Sequence, residues 1–443
     1  MLELKIYNTI KNYAVKNPVR FHMPGHKADE GFCALFKDAC LDVTEVSSLK
    51  LEEVVLSAEE DLKKILQVEV CKMLSGGTSL SVLALTYAVK GFGNSIIINR
   101  NSHQSIFNAL KLFNIEPIFV GEELVNGFFT LPTAEQIDVL LKNNPNCIGA
   151  FLTYPDYFGR TFDIMDISSV IKKRNKLFLI DNAHGGHFRY SLNGLYAGRY
   201  ADAYCESTHK TLNSLNQGAL VGVNNKNLIS LVEEGVGIFS TTSPSYPILA
   251  SVEYAVKSAF EDIYKLPSLE KELTLLKNNL VDLGYKIDEN TDVYKLSIDC
   301  KNLDLSAYEI ERILEKNNIF IELCNERRIL FMFSYQTKTT HINKLFNLLK
   351  SIITGAKQRL NKQKEITFGA RKTTYLTAIN GEYELVSLKE SVGKISAVNV
   401  GTFPPCYPII CAGEEITKDS VEYLLSAKNV YGLTEEKIKI VRK

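Results

Sequence analysis

Between residues 51 and 262, short apolar runs alternate with longer amphipathic stretches. The runs at 95–99 (S-I-I-I-N), 115–120, 147–153, 176–183 (K-L-F-L-I-D-N-A), 201–206 (A-D-A-Y-C-E) and 218–223 (G-A-L-V-G-V) are of strand length and end in turn residues. Helical periods separate them: 51–66, the apolar segment L-S-V-L-A-L-T-Y-A-V opened by S-G-G-T-S at 75–79, A-E-Q-I-D-V-L-L, and 166–174. Apolar strands separated by helices predict an α/β fold, a mostly parallel sheet with helices on both faces. In such sheets ligands sit at the carboxyl ends of the strands.

The flanks read differently. Residues 1–50 hold an amphipathic helix candidate rather than a signal peptide, then the turn R-F-H-M-P-G-H-K at 20–27 and D-V-T-E at 42–45. Residues 263–355 predict a smaller α+β unit: helix 269–283, strand 294–298, helix 307–316, strands 319–323 and 329–333, and helix 342–353. The basic stretch 357–373 reads equally as a linker or as a solvated helix extension. The C-terminal piece carries T-F-P-P-C-Y-P at 402–408 and Gly413-Glu414. The expected division is an N-terminal arm (1–50), a large domain (51–262), a small domain (263–355) and a C-terminal domain (356–443).

Charge removes some functions from consideration. Lysine plus arginine equals aspartate plus glutamate at 51 each, so nothing electrostatic favours nucleic acid or an anionic membrane. Nine cysteines without a Cys-x-x-Cys pair speak against a disulfide framework or zinc site and for a reducing cytoplasm. No apolar run is long enough to span a bilayer.

Six of the seven histidines cluster at strand ends and turns: His22 and His26, His103, His184 and His187, and His209. That placement points to a polar site. One strand ends on Asp181; another runs into Ser207-Thr208-His209-Lys210. A Schiff-base lysine and an aspartate on the pyridine nitrogen are what a protein contributes to pyridoxal phosphate (PLP) chemistry. A buried carboxylate at the end of L-F-L-I needs a cation, and a protonated pyridine supplies one. Ala183 is small enough for a ring to lie against it. Gly77, Thr78 and Ser79 at a helix start form a phosphate cradle candidate, to which Ser207 and His209 add donors. His103 either stacks on a flat cofactor or is a helix-start histidine without a ligand. D-N-A-H-G-G-H is the alternative metal reading, but Asp181 and the separate Lys210 turn do not form a closed ligand set, so no metal is expected.

Taken in chain order, R-F-H-M-P-G-H-K, D-V-T-E, G-G-T-S, R-N-S-H-Q-S, D-N-A-H-G-G-H-F, S-T-H-K-T-L, S-T-T-S-P-S-Y and P-P-C-Y-P-I-I-C-A-G-E-E-I resemble the ornithine/lysine/arginine decarboxylase family, of aspartate-aminotransferase fold type, in its shorter form without the N-terminal wing domain. The resemblance implies that Lys210 bonds PLP and Asp181 holds the pyridine nitrogen. It implies that His103 stacks on the ring face opposite Ala183 and that His184 lies beside the ring and its 3-oxygen. Thr78, Ser79, Ser207 and His209 are implied to hold the phosphate. It further implies a homodimer in which the 240–246 loop reaches the neighbour's cofactor.

This chain departs from the family pattern at Asn182, where Glu is usual, at Asp156, at 47–50 in place of an acidic stretch, and at Cys406 and Ala412. The expected activity is decarboxylation of arginine, lysine or ornithine to the amine, in polyamine biosynthesis, with Lys210 or His209 returning the proton and Glu414 accepting the substrate's far cation. The rivals are a PLP aminotransferase or lyase on the same fold, and a non-catalytic PLP-binding regulator.

Overall fold

The computed structural model describes residues 2–44, 46–191, 194–353 and 366–442. They fall into two compact units, one formed by Met1–Val89, Phe178–Pro267 and Ser334–Gln336, the other by Lys90–Leu177, Ser268–Phe333 and Thr337–Lys443.

In the first unit, strands Val70–Leu74, Ala219–Val223, Ala203–Ser207 and Leu177–Asp181 lie side by side in that order. The first two pairings are antiparallel and the last is parallel, with Asp181 opposite Cys205. Every position of Ala203–Ser207 and Ala219–Val223 is buried; the second strand is an unbroken apolar run, whereas the first carries Glu206 and Ser207 inside. The helix Gly77–Val89 is apolar on all sides and covered accordingly: Val82, Ala84, Leu85, Ala88 and Val89 are buried. Its neighbour Ile229–Phe239 comes so close that a Cβ on Gly235 would lie 2.8 Å from the Ala84 carbonyl oxygen. The N-terminal helix Lys5–Ala14 buries Ile6 and Ile10, one turn apart. Its unpaired N–H groups are capped by the buried Glu253, which accepts from Lys5 N at 2.8 Å and Ile6 N at 3.0 Å. The turn at 20–27 is tied to residues 40–42: Arg20 donates to the carbonyls of Cys40 and Asp42, and His26 Nε2 is 3.3 Å from the Asp42 carboxylate. Glu45, which closes D-V-T-E, lies outside the described residues.

In the second unit, strands Cys147–Thr153, Ser95–Asn99 and Glu116–Val120 are parallel neighbours. A small antiparallel sheet follows, in the order Lys286–Ile287, Lys295–Asp299, Arg328–Met332 and Leu323–Cys324. The C-terminal part packs Val400, Ile410, Val421, Leu424, Ile438 and Ile440 into a core of its own. Most of the 357–373 stretch lies outside the described residues. The α/β class with a mostly parallel sheet is as expected. No described helix is long and apolar enough to cross a membrane.

Two local expectations differ. Val70–Leu74 is a strand that the sequence pattern does not announce, because Lys72 interrupts it; that lysine is neutralised by Glu59 at 3.2 Å. The run 319–323 is strand only at Leu323–Cys324, and Phe320 points out, 76% exposed.

Candidate active site

In the first unit the expected site residues converge at the ends of two adjacent parallel strands. Leu177–Asp181 ends on Asp181, which is 3% exposed. Its Oδ1 accepts from Ala183 N at 3.1 Å. The Cys205 thiol, pushed well up by burial and then by Asp181 itself, donates weakly to the same oxygen at 3.7 Å. Among the described residues no cationic side chain pairs with Asp181. A buried carboxylate in that state is suited to a cationic ligand group.

The neighbouring strand Ala203–Ser207 runs into the short helical turn Thr208–Thr211, which carries Lys210. Thr208 N and His209 N both donate to the Gly218 carbonyl, at 3.1 and 3.3 Å, so the turn is pinned from two positions. Lys210 Nζ lies 3.1 Å from His184 Nε2. His184 and Ala183 are buried next to Asp181 in the chain.

The glycine-opened helix meets the same strand end. Thr78 Oγ1 and Ser207 Oγ are 2.9 Å apart, and Gly77 N donates to the Gln217 carbonyl at 2.8 Å. Gly77 has φ +68°, with nothing within 4 Å of where a Cβ would be, so the turn is left-handed and opens into free space. Ser79 stands exposed in the first turn of the helix.

His209 donates from Nδ1 to the Gly218 carbonyl at 2.8 Å, because a carbonyl can only accept. Burial pushes this imidazole below its ordinary range; the Gly218 bond opposes the shift and the Lys210 charge adds to it. The ring is therefore neutral near pH 7, with its proton on Nδ1 and a lone pair on Nε2.

His103 belongs to the second unit, where it caps the helix Gln104–Leu112: its Nδ1 accepts from Ser105 N at 3.1 Å. Glu414, also in the second unit, is a correction. The carboxylate expected to face a substrate cation is 4% exposed and committed to Arg100, itself 2% exposed. Arg100 Nε donates to Oε1 at 3.2 Å and Nη2 to Oε2 at 2.9 Å, while Cys411 N donates to Oε2 at 2.8 Å. The expectation failed because Arg100, at the end of an apolar strand, has its own need for a carboxylate. The arginine in I-I-I-N-R and the glutamate inside A-Y-C-E-S are two of the buried charges that reasoning from motifs passed over. A charge within or directly after an apolar run is the signal that could have found both.

A family model described as the major domain of Orn/Lys/Arg decarboxylase matches residues 5–266, and that family's C-terminal-domain model matches residues 356–432. The chain belongs to the Orn/Lys/Arg decarboxylase family. It is an amino-acid decarboxylase, a carboxy-lyase. Among relatives of this decarboxylase, an arginine decarboxylase of Bacillus subtilis is 28% identical over 95% of this chain and 93% of its own length. The structure of the Escherichia coli constitutive lysine decarboxylase superposes with a TM-score of 0.81 at 18% identity, covering 99% of this chain and 82% of that one. A serine palmitoyltransferase variant from S. paucimobilis with a bound PLP–myriocin aldimine has a TM-score of 0.55 at 14% identity, covering 68% of this chain and 76% of that one. The family and such fold neighbours imply PLP for this decarboxylase.

Proposed function

We propose that this decarboxylase holds PLP and removes the carboxylate of arginine, lysine or ornithine, leaving the corresponding amine, in the cytoplasm and in the service of polyamine synthesis. The supporting observation is the convergence in one unit of Lys210 against His184, a buried Asp181 without a cation among the described residues, and the Gly77, Thr78 and Ser207 cluster at a helix start. When bound, PLP supplies an electron-accepting ring for the pair left behind by the departing carboxylate.

Each residue has a part in this reading. Asp181 keeps the pyridine nitrogen protonated, since the pairing relieves its own buried charge. The helix N-terminus with Gly77, Thr78 and Ser79, together with Ser207, holds the phosphate. His209 joins them in the protonated form that a phosphate dianion beside it favours. Ala183 and His103 flank the ring and His184 sits beside its 3-oxygen. Lys210 carries the cofactor, and it also returns the proton to the substrate carbon. His209 is the poorer donor, because its Nδ1 proton is committed to the Gly218 carbonyl and its Nε2 proton to the phosphate. The acceptor for the substrate's far amine or guanidinium is a residue other than Glu414. The chain divides into the arm 1–50, the PLP-binding domain 51–262, the small domain 263–355 and the C-terminal domain 356–443.

The test is product analysis with each of the three amino acids and added PLP. Carbon dioxide and amine in equal amounts from at least one of them is the expected result. A keto acid in place of the amine would move the chain to transamination, and no turnover of any amino acid would leave a PLP-binding regulator.

The functional unit in this reading is a homodimer. Residues 15–36 expose Val15, Val19, Met23, Leu35 and Phe36, and Phe21 is 95% exposed. So much apolar surface in one short segment favours a protein partner, and a second copy is the one the proposal commits to. Light scattering is expected to give twice the chain mass; an active monomer would contradict it.

A further inference from the structure

Behind Asp181, on the opposite face of the same two strands, lies a polar contact that the proposed reaction does not use. Asn182 N donates to the Cys205 carbonyl at 2.8 Å, which continues the parallel pairing by one residue. Side chains alternate along a strand, so Asn182 and Glu206 turn away from Asp181 and Cys205. Both are fully buried, and Asn182 Nδ2 donates to Glu206 Oε2 at 3.0 Å. The two remaining atoms, Asn182 Oδ1 and Glu206 Oε1, are buried without a hydrogen-bond partner among the described residues. Gly186 closes over the second of them: a Cβ there would lie 2.7 Å from Oε1. Two acceptors left bare on one hydrogen-bonded pair in a dry interior are costly, and an ionised carboxylate among them is more so. One proton resolves both. With it on Oε1, the O–H donates to Asn182 Oδ1 while Nδ2–H continues to donate to Oε2.

We propose that Glu206 is a neutral carboxylic acid joined to Asn182 by two hydrogen bonds, and that this pair is a positioning device that fixes the end of the Asp181 strand against the strand leading into Lys210. The surroundings agree. Cys71, Tyr190, Tyr196 and Tyr204 interact with Glu206, and burial pushes each of them well up, so all four are uncharged. Among the described residues the cation acting on Glu206 is Arg189, which donates instead to the Ile65 carbonyl at 2.8 and 3.2 Å. Burial pushes the Glu206 carboxyl up to about 8, against the opposing pull of Asn182 and Arg189. The positioning role rests on the proposed roles of Lys210 and Asp181; the protonation of Glu206 does not.

The test compares wild type with Glu206→Gln, whose amide keeps the shape and both hydrogen bonds. The wild-type-minus-variant infrared difference is expected to show the carbonyl stretch of a protonated acid at pH 7, fading above about pH 8. The folded carboxyl titrates above the unfolded one. The wild-type melting temperature should therefore fall relative to the variant as pH rises from the ordinary carboxyl value toward about 8, and then run parallel to it. Absence of the stretch, together with parallel melting curves from pH 5 to 9, would overturn the neutral acid.

Positioning is tested with Glu206→Leu, which leaves the Asn182 amide unpaired. It is expected to lower kcat by roughly tenfold or more, with KM little changed and an altered absorbance of the lysine-bound cofactor, while Glu206→Gln restores all three. Leu and Gln variants of equal kcat and equal spectrum would overturn it. Where Glu206→Leu does not fold, Asn182→Leu takes its place. The infrared and melting readouts need no turnover, so failure of the proposed reaction and failure of this pair are told apart.

Discussion

Lys210→Ala is expected to fold like the wild type and to lose both cofactor attachment and turnover. The turn that carries Lys210 is held by backbone bonds from Thr208 and His209 to Gly218, none of which needs the lysine side chain. The side chain is half-buried, with its Nζ 3.1 Å from His184 Nε2. The melting temperature should stay within a few degrees of wild type. The visible absorbance of lysine-bound PLP should vanish. The rate should fall by roughly 10²–10⁴-fold or more, since both the proposed attachment point and the proposed proton donor are gone. A variant that keeps absorbance and rate would assign the attachment to another lysine, and the proposed roles of Asp181 and His184 would fall with it.

Glu414→Ala is expected to damage stability far more than substrate affinity. It would leave the Arg100 guanidinium buried with the carbonyls of Pro408 and Ile409 and without its bidentate carboxylate. Breaking a buried pair from one side costs about 3–5 kcal/mol, most of it the cost of the charge left behind. The melting temperature and the denaturant midpoint should both drop, and KM for a basic amino acid in the folded fraction should be close to wild type. Replacing both partners together, Arg100→Met with Glu414→Leu, should recover much of the loss, because no buried charge then remains. A Glu414→Gln variant with wild-type stability and a strongly raised KM would return Glu414 to the substrate site.

Several elements were legible because their information is local. The strands Ser95–Asn99 and Cys147–Thr153 and the helices Leu51–Leu66 and Ala307–Lys316 have the ends that the hydrophobic pattern predicts. An apolar run of strand length between turn residues has few other ways to bury itself, and Ser306 with Glu309 spells its own capping box. Once strands end on Asp181 and in the Lys210 turn, the rule that ligands gather at carboxyl ends places the two together. The alternating order of strands and helices, and with it the α/β class, follows from the same local patterns.

The rest was settled by partners far away in the chain. Val70–Leu74 becomes a strand because Val221 and its neighbours in Ala219–Val223 offer it an edge, and no pattern within V-C-K-M-L announces that. Glu414 is withdrawn from any substrate by Arg100, 314 residues before it. Asn182 meets Glu206 because two strands pair in parallel with Asp181 opposite Cys205; a register shifted by one residue would turn Glu206 toward the Asp181 face and Ser207 away from it. Hydrophobic period is a property of a few consecutive residues, and so the sequence by itself determined most of the elements and the sheet edge on which Asp181 and the Lys210 turn sit. Buried charges and amides need a specific partner at hydrogen-bond distance, and only the tertiary structure decided which one each of them received.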